Sequence, residues 1–183
     1  MHHEIVFSGF GGQGALFAGQ LMTYAGMDAG WEVTWIPSYG PEMRGGTANC
    51  TVIISDEPIG SPLIRNPTIA VVLSPESMIK YEPRMRPGGL LVINSTLIQQ
   101  QVTRTDIEAI TVPANELAAK LGNVKMANVV VVGAMLAKEP IVSLEAVDAV
   151  LDEHLAESKR RFIEPNKRAL REGAAYIREH MSA

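Results

Sequence analysis

Ile5-Val6-Phe7-Ser8-Gly9-Phe10-Gly11-Gly12-Gln13-Gly14 opens the chain with a short apolar run, then a cluster of glycines, and a helical pattern follows behind it. Gly9, Gly11 and Gly14 satisfy G-x-G-x-x-G directly after a predicted strand and directly before a predicted helix, the context in which such a turn binds phosphate. Glycine there admits φ > 0 and close approach of the backbone to a ligand, while the free N–H groups of the following helix favour an anion. Gly12 opens the loop further. The same residues read equally as a tight strand-to-helix turn with no ligand. A dinucleotide site would add an acid at the end of the second strand, to bond ribose hydroxyls. That strand ends Trp35-Ile36-Pro37-Ser38-Tyr39, with Glu32 before it and Glu42 inside the next loop, so NAD(P) is disfavoured.

Working outward, apolar runs alternate with longer helical patterns, the signature of a parallel sheet covered by helices. Strands are predicted at 4–8, 33–36, 48–55, 69–73, 90–94 and 110–112, and helices at 13–28, 75–81, 115–120, 127–137, 143–154 and from about 165 to 180. Leu90-Leu91-Val92-Ile93 is apolar throughout, as strands buried on both faces are. The fold class is α/β: a three-layer αβα, Rossmann-like arrangement with a mostly parallel central sheet and helices on both faces. Ser143 precedes a helical stripe and can cap it, and Pro165 fits a first helical turn. In the last helix Leu170, Ala174, Ile177 and Met181 form one stripe, and Arg168, Arg171, Glu172, Arg178 and Glu179 read as a solvated face.

The 183 residues, at ~150 per domain, predict a single domain spanning 1–183. A chain of this size buries about 70% of its unfolded surface and needs no disulfide or metal to hold a core. Net charge is −4, with 3 Lys/Arg against 7 Asp/Glu in residues 1–80 and 7 against 6 in residues 151–183. Aromatics make up 5%, so nothing resembles the clustered basic and aromatic footprint of a nucleic-acid binder. The nearly apolar run 129–137 is too short to span a bilayer, and no leader pattern opens the chain. Cys50 alone can build neither a disulfide framework nor a cluster cradle, and among strand-like neighbours it reads as a small buried hydrophobe. A soluble protein in a reducing cytoplasm is expected.

A second signal is Pro37-Ser38-Tyr39-Gly40-Pro41-Glu42-Met43-Arg44-Gly45-Gly46-Thr47, a loop placed after a strand, where open α/β sheets carry ligands. Arg44, beside Gly45-Gly46, is free to meet a carboxylate or phosphate with two parallel hydrogen bonds, or to pair with Glu42. His2, His3, His154 and His180 show no metal-pair spacing, and no G-x-S-x-G elbow is present, so a metal site and a hydrolase triad are not expected. The nine methionines read as adaptable filler. Asn128, at the head of its apolar helix, can cap it or reach a partner, and capping is the preferred reading.

Gly9-Phe-Gly-Gly-Gln-Gly14, Ser38-Tyr-Gly-Pro-Glu-Met-Arg-Gly-Gly46 and Ala127-Asn-Val-Val-Val-Val-Gly-Ala134 together resemble the gamma subunit of the 2-oxoacid:ferredoxin oxidoreductases, over nearly the whole chain. The resemblance implies oxidative decarboxylation of a 2-oxoacid, 2-oxoglutarate being the expected one, to an acyl-CoA and CO2, with electrons passing to ferredoxin or flavodoxin. Thiamine diphosphate, magnesium and 4Fe-4S clusters would sit in partner alpha and beta subunits, with a delta subunit where one exists. This chain would bind none of these cofactors and supply no catalytic residue alone, CoA entering as co-substrate. Carried over, Gly9, Gly11, Gly12, Gln13 and Gly14 would face a partner subunit or the CoA phosphates, and Ser38, Tyr39, Glu42, Arg44 and Gly45 would lie near the shared active site. The alternatives are a non-catalytic assembly module of the same complex and a free-standing nucleotide-binding oxidoreductase. Isolated from its partners, the chain is expected to be inactive and to form a homodimer over its uncovered docking surface.

Overall fold

The computed structural model describes residues 1–39 and 46–180. In chain order it contains β1 (His2–Phe10), α1 (Ala15–Asp28), β2 (Glu32–Tyr39), β3 (Thr47–Ser55), β4 (Ile69–Val72), α2 (Pro75–Tyr81), β5 (Leu90–Asn94), β6 (Glu108–Val112), α3 (Ala114–Lys120), α4 (Ala127–Lys138), α5 (Leu144–His154) and α6 (Ile163–His180). Short 3-10 turns occupy Glu82–Arg84, Val124–Met126 and Glu157–Phe162. Every predicted strand and helix has its counterpart.

One sheet runs in the order β2-β3-β1-β4-β5-β6. β1, β4, β5 and β6 are parallel, whereas β3 lies antiparallel to both β1 and β2. β3 is therefore the one reversed strand of a mostly parallel sheet, and the carboxyl ends of β1, β4 and β5 share an edge. Side-chain alternation splits the core in two. Ile5, Phe7, Cys50, Val52, Val71 and Val92 face α1 and α3 to α6. Val6, Ala70, Val72, Leu91 and Ile93 face α2, with Met85 and Ile98 completing that side. Both faces carry helix, but unequally, five against one.

Most boundaries shift by a residue or two from the sequence reading, and three of the shifts have a clear physical reason. β2 continues through Pro37, Ser38 and Tyr39, paired with Cys50, Asn49 and Ala48 of β3, and Glu32 is its first residue. Pro37 is tolerated because β2 is an edge strand and its missing N–H breaks no second ladder. α6 begins two residues before Pro165, still inside the first turn, where N–H groups have no intrahelical partner. Gln13 belongs to the glycine turn and not to α1. Ser143 does cap α5, accepting from the Ala146 N–H at 3.1 Å. Of the α6 charges, Arg171 reaches back to pair with Asp148 of α5; Met181 lies outside the described residues.

Helix α4 is buried from Ala127 to Leu136 on every side. A helix apolar all round must be wrapped, and the sheet and α6 do this. Gly133 and Gly173 set how closely α4 and α6 approach: a Cβ at Gly133 would stand 1.8 Å from the Leu170 carbonyl oxygen, and one at Gly173 would stand 1.9 Å from that of Val130.

On the thinner face, buried Glu82 fastens the 95–107 segment. Its Oε1 accepts from Thr103 N–H at 2.6 Å, Thr103 Oγ1 at 2.8 Å and Arg104 N–H at 3.1 Å. Burial opposes the charged carboxylate, but these donors outweigh it and hold the pKa below the ordinary glutamate value. A carboxyl depressed in the folded state contributes stability above its unfolded pKa and loses it as pH falls through the folded value. Acid titration of stability should therefore show a loss below about pH 4 that is absent in Glu82→Gln. Parallel acid curves for the two proteins would refute the assignment.

Candidate functional site

The β1–α1 turn sits where the sheet changes hands, since α1 covers one face and α2, which follows β4, covers the other. Open α/β sheets bind ligands in the crevice at that point. Gly12 and Gly14 adopt φ of 94° and 78°, in the left-handed region that glycine enters without strain. Gly14 is the N-cap of α1; no side chain caps it, and no acid stands in the first turn. A Cβ at Gly12 would meet nothing within 4 Å, so the turn is open on that side.

Two side chains brace the turn. Gln13 Oε1 accepts from the Phe10 N–H at 2.6 Å and its Nε2 donates to the Leu73 carbonyl at 3.1 Å, tying the turn to the end of β4. Asn128 Nδ2 donates to the Gly14 carbonyl at 3.1 Å. Asn128 therefore does not cap α4. It is the second residue of that helix, and the N-cap position, Met126, makes no side-chain bond. The sequence reading ranked a cap above a distant partner because that partner lies 114 residues away, beyond any local pattern.

The turn and the second motif meet at the backbone: the Gly11 N–H donates to the Gly46 carbonyl at 2.9 Å. Ser38 and Tyr39 are strand residues at the carboxyl end of β2, and Tyr39 stands 70% exposed there. Glu42, Arg44 and Gly45 lie outside the described residues.

Two clefts flank the turn. The larger, about 690 Å³, opens toward β2 and β3 between Gly12, Gly14, Phe17, Trp35, Tyr39 and Lys159. Its size falls in the range of about 300–1,000 Å³ usual for ligand sites. The smaller, about 150 Å³, opens toward β4 and β5 and is rich in amides. Neither is lined by a carboxylate among the described residues. With a helix N-terminus at the turn and lysines nearby, both suit anions. Lys159 was not singled out from the sequence because its 3-10 turn lies in a mixed charge run.

Cys50 is fully buried, its Sγ 3.5 Å from the Ala15 carbonyl oxygen, and burial pushes its thiol up to about 11. With that single enclosed thiol the chain does not fit an iron–sulfur cluster. Among the described residues one trio of metal-ligating type comes together, Asp28, Glu153 and His154, all exposed, with the His154 ring stacked on Tyr24 at 4.1 Å. No helix among the described residues is long and apolar enough to cross a membrane.

Residues 4–176 match the family described as pyruvate ferredoxin/flavodoxin oxidoreductase. The chain is 34% identical over 185 residues to the ketoisovalerate oxidoreductase subunit VorA of Methanothermobacter thermautotrophicus, covering 97% of this chain but only 37% of that protein's length. It is 35% identical over 158 residues to the 2-oxoglutarate synthase subunit KorC of Methanocaldococcus jannaschii, covering 83% of each. The crystal structure of a keto/oxoacid ferredoxin oxidoreductase gamma subunit from Geobacter sulfurreducens PCA superposes with a TM-score of 0.82 at 31% identity, over 99% of both chains.

Proposed function

Because the chain belongs to the pyruvate ferredoxin/flavodoxin oxidoreductase family, we propose that it is the gamma subunit of a 2-oxoacid:ferredoxin oxidoreductase complex and forms one wall of the CoA-binding site. The observation that carries this reading is the Gly11–Gly46 backbone bond, which brings the two glycine-rich motifs together at the carboxyl end of β1. One supplies N–H donors at an uncapped helix end. The other delivers Ser38 and Tyr39 at the end of β2.

The larger cleft fits this role. Phe17, Trp35 and Tyr39 offer ring faces to a planar base, while the turn and Lys159 offer N–H donors and a positive charge to phosphates. Binding there holds CoA against the partner subunits and leaves the chemistry to thiamine diphosphate and the iron–sulfur clusters that those alpha and beta subunits carry, delta included where present. No step of electron transfer passes through this chain, and ferredoxin or flavodoxin docks elsewhere on the complex. The oxoacid is 2-oxoglutarate, a reading supported by the match to KorC along most of both chains. The complex works in the cytoplasm, and the chain alone is inactive.

The test is a reconstituted complex carrying Arg44→Ala. CoA-dependent dye reduction should fall at least tenfold through a raised KM for CoA, as expected for the loss of a charge-assisted hydrogen bond of about 1.5–3 kcal/mol. An unchanged KM with weakened subunit association would favour the assembly module instead, and full activity in a complex lacking this chain would sink both.

A further inference from the structure

We propose that the smaller cleft, on the β4 side of the glycine turn, is a binding site for a protonated phosphate group. Gly12, Asn94, Asn115, Lys125 and Asn128 converge on it from five different segments. At about 150 Å³ it admits a group of a few heavy atoms and no nucleotide.

Its donors are fixed by neighbours. Asn94 Nδ2 donates to Asn115 Oδ1 at 2.7 Å, and Asn94 Oδ1 accepts from the Ala114 N–H at 3.2 Å. Asn115 has thus committed its oxygen and keeps its Nδ2 hydrogens for a ligand. Lys125 is exposed at the mouth and enters no ion pair among the described residues. It is also the one ionisable group among the residues described as lining the cleft. Helix α1 begins here without a side-chain cap and without an acid in its first turn; α4 begins here too, continuing the 3-10 turn that Asn123 caps, again with no acid in its first turn. These features together select an oxyanion.

One further group selects which oxyanion. Asn128 is only 5% exposed, and its Nδ2 is held by the Gly14 carbonyl. Its Oδ1 therefore remains as an acceptor, and no described residue donates to it. An acceptor lining a positive cleft favours a ligand that gives a proton as well as taking hydrogen bonds. A phosphate group, with a second pKa of about 6, keeps a P–OH in about half of its population near pH 6; sulfate does not. Asn128 is the discriminating residue, and Lys125 supplies the attraction.

The site stands whether or not CoA occupies the larger cleft. Titration calorimetry of the full chain near pH 6 would use inorganic phosphate and sulfate as probes. Phosphate should bind saturably at millimolar concentration, with sulfate at least tenfold weaker. Lys125→Ala, at an exposed unpaired position, should keep its melting temperature and weaken phosphate about tenfold. Asn115→Ala should weaken it as well. Displacement of phosphate by CoA would assign the group to the co-substrate, and its absence to a separate phosphate-bearing ligand; either result upholds the site. No saturable binding, equal affinity for sulfate, or full affinity in Lys125→Ala would overturn it.

Discussion

Gly133→Ala is expected to lower the unfolding free energy by about 3 kcal/mol, at the upper end of overpacking costs. The obstacle is not a side chain that can turn aside. The added Cβ would sit 1.8 Å from the Leu170 carbonyl oxygen, which α6 holds in its own backbone, so the two helices must separate. Alanine's better helix propensity offsets only about 1 kcal/mol of the clash, leaving that net loss. With an m-value of about 1–3 kcal/mol/M, the urea midpoint should fall by roughly 1–3 M. Gly60→Ala is the control, because a Cβ there meets nothing within 4 Å and the backbone is not in the left-handed region. Gly173→Ala should cost as much as Gly133→Ala, since its Cβ would meet the Val130 carbonyl at 1.9 Å. The double variant should cost less than the sum, because helices already driven apart accommodate the second methyl. An unshifted midpoint in Gly133→Ala would mean that α4 and α6 are not in backbone contact.

These glycines also show how far the sequence could be read. Valines 129–132, which disfavour helix on intrinsic propensity, still form one because the helix is enclosed by sheet and α6. The run was legible as helix from its length and surroundings, but its closest neighbour was not, since Gly133 and Gly173 are 40 residues apart. Strand β4 and the first four residues of β5 were legible because burial on both faces leaves no polar position in those runs. The end of β2 was not, because Pro37 reads as a breaker everywhere except on an edge, and nothing local says which strand is the edge.

The site divides in the same way. The glycine turn announces itself, since φ > 0 and close approach demand glycine at fixed offsets. What braces it does not: Gln13 has a partner on β4 and Asn128 a partner on α1, and each is an unremarked amide in the sequence. Gln13, named from the sequence as a site residue, spends its amide on Phe10 and Leu73, so its part is to hold the turn's shape. Lys125 and Asn115 are silent for a similar reason. Each becomes meaningful only when 3-10 turn, helix and strand ends converge on one cleft.

The turn's own shape gives the second large effect. Gly14→Ala should lower stability by about 3 kcal/mol through two separable causes. The left-handed conformation at φ 78° costs an L-residue roughly 1–2 kcal/mol. The new Cβ would also stand 2.4 Å from Asn128 Nδ2, forcing that amide off the Gly14 carbonyl it now donates to. Losing a buried hydrogen bond adds about 1 kcal/mol or more. A double-mutant cycle separates the two, because Asn128→Ala removes the amide and its bond together, leaving the backbone strain and a Cβ 3.2 Å from the new methyl. On the Asn128→Ala background, Gly14→Ala should therefore cost little beyond the strain, about 1–2 kcal/mol. Gly12→Ala, with φ 94° and open space around its Cβ, should show the same strain-only cost in the unaltered protein. Equal costs for Gly14→Ala on both backgrounds would remove Asn128 as the brace of the turn. In the assembled complex the two glycine variants should differ again. Gly12→Ala places a methyl on the open side of the turn and should raise the KM for CoA, whereas Gly14→Ala moves the whole helix start and should lower the yield of assembled complex as well.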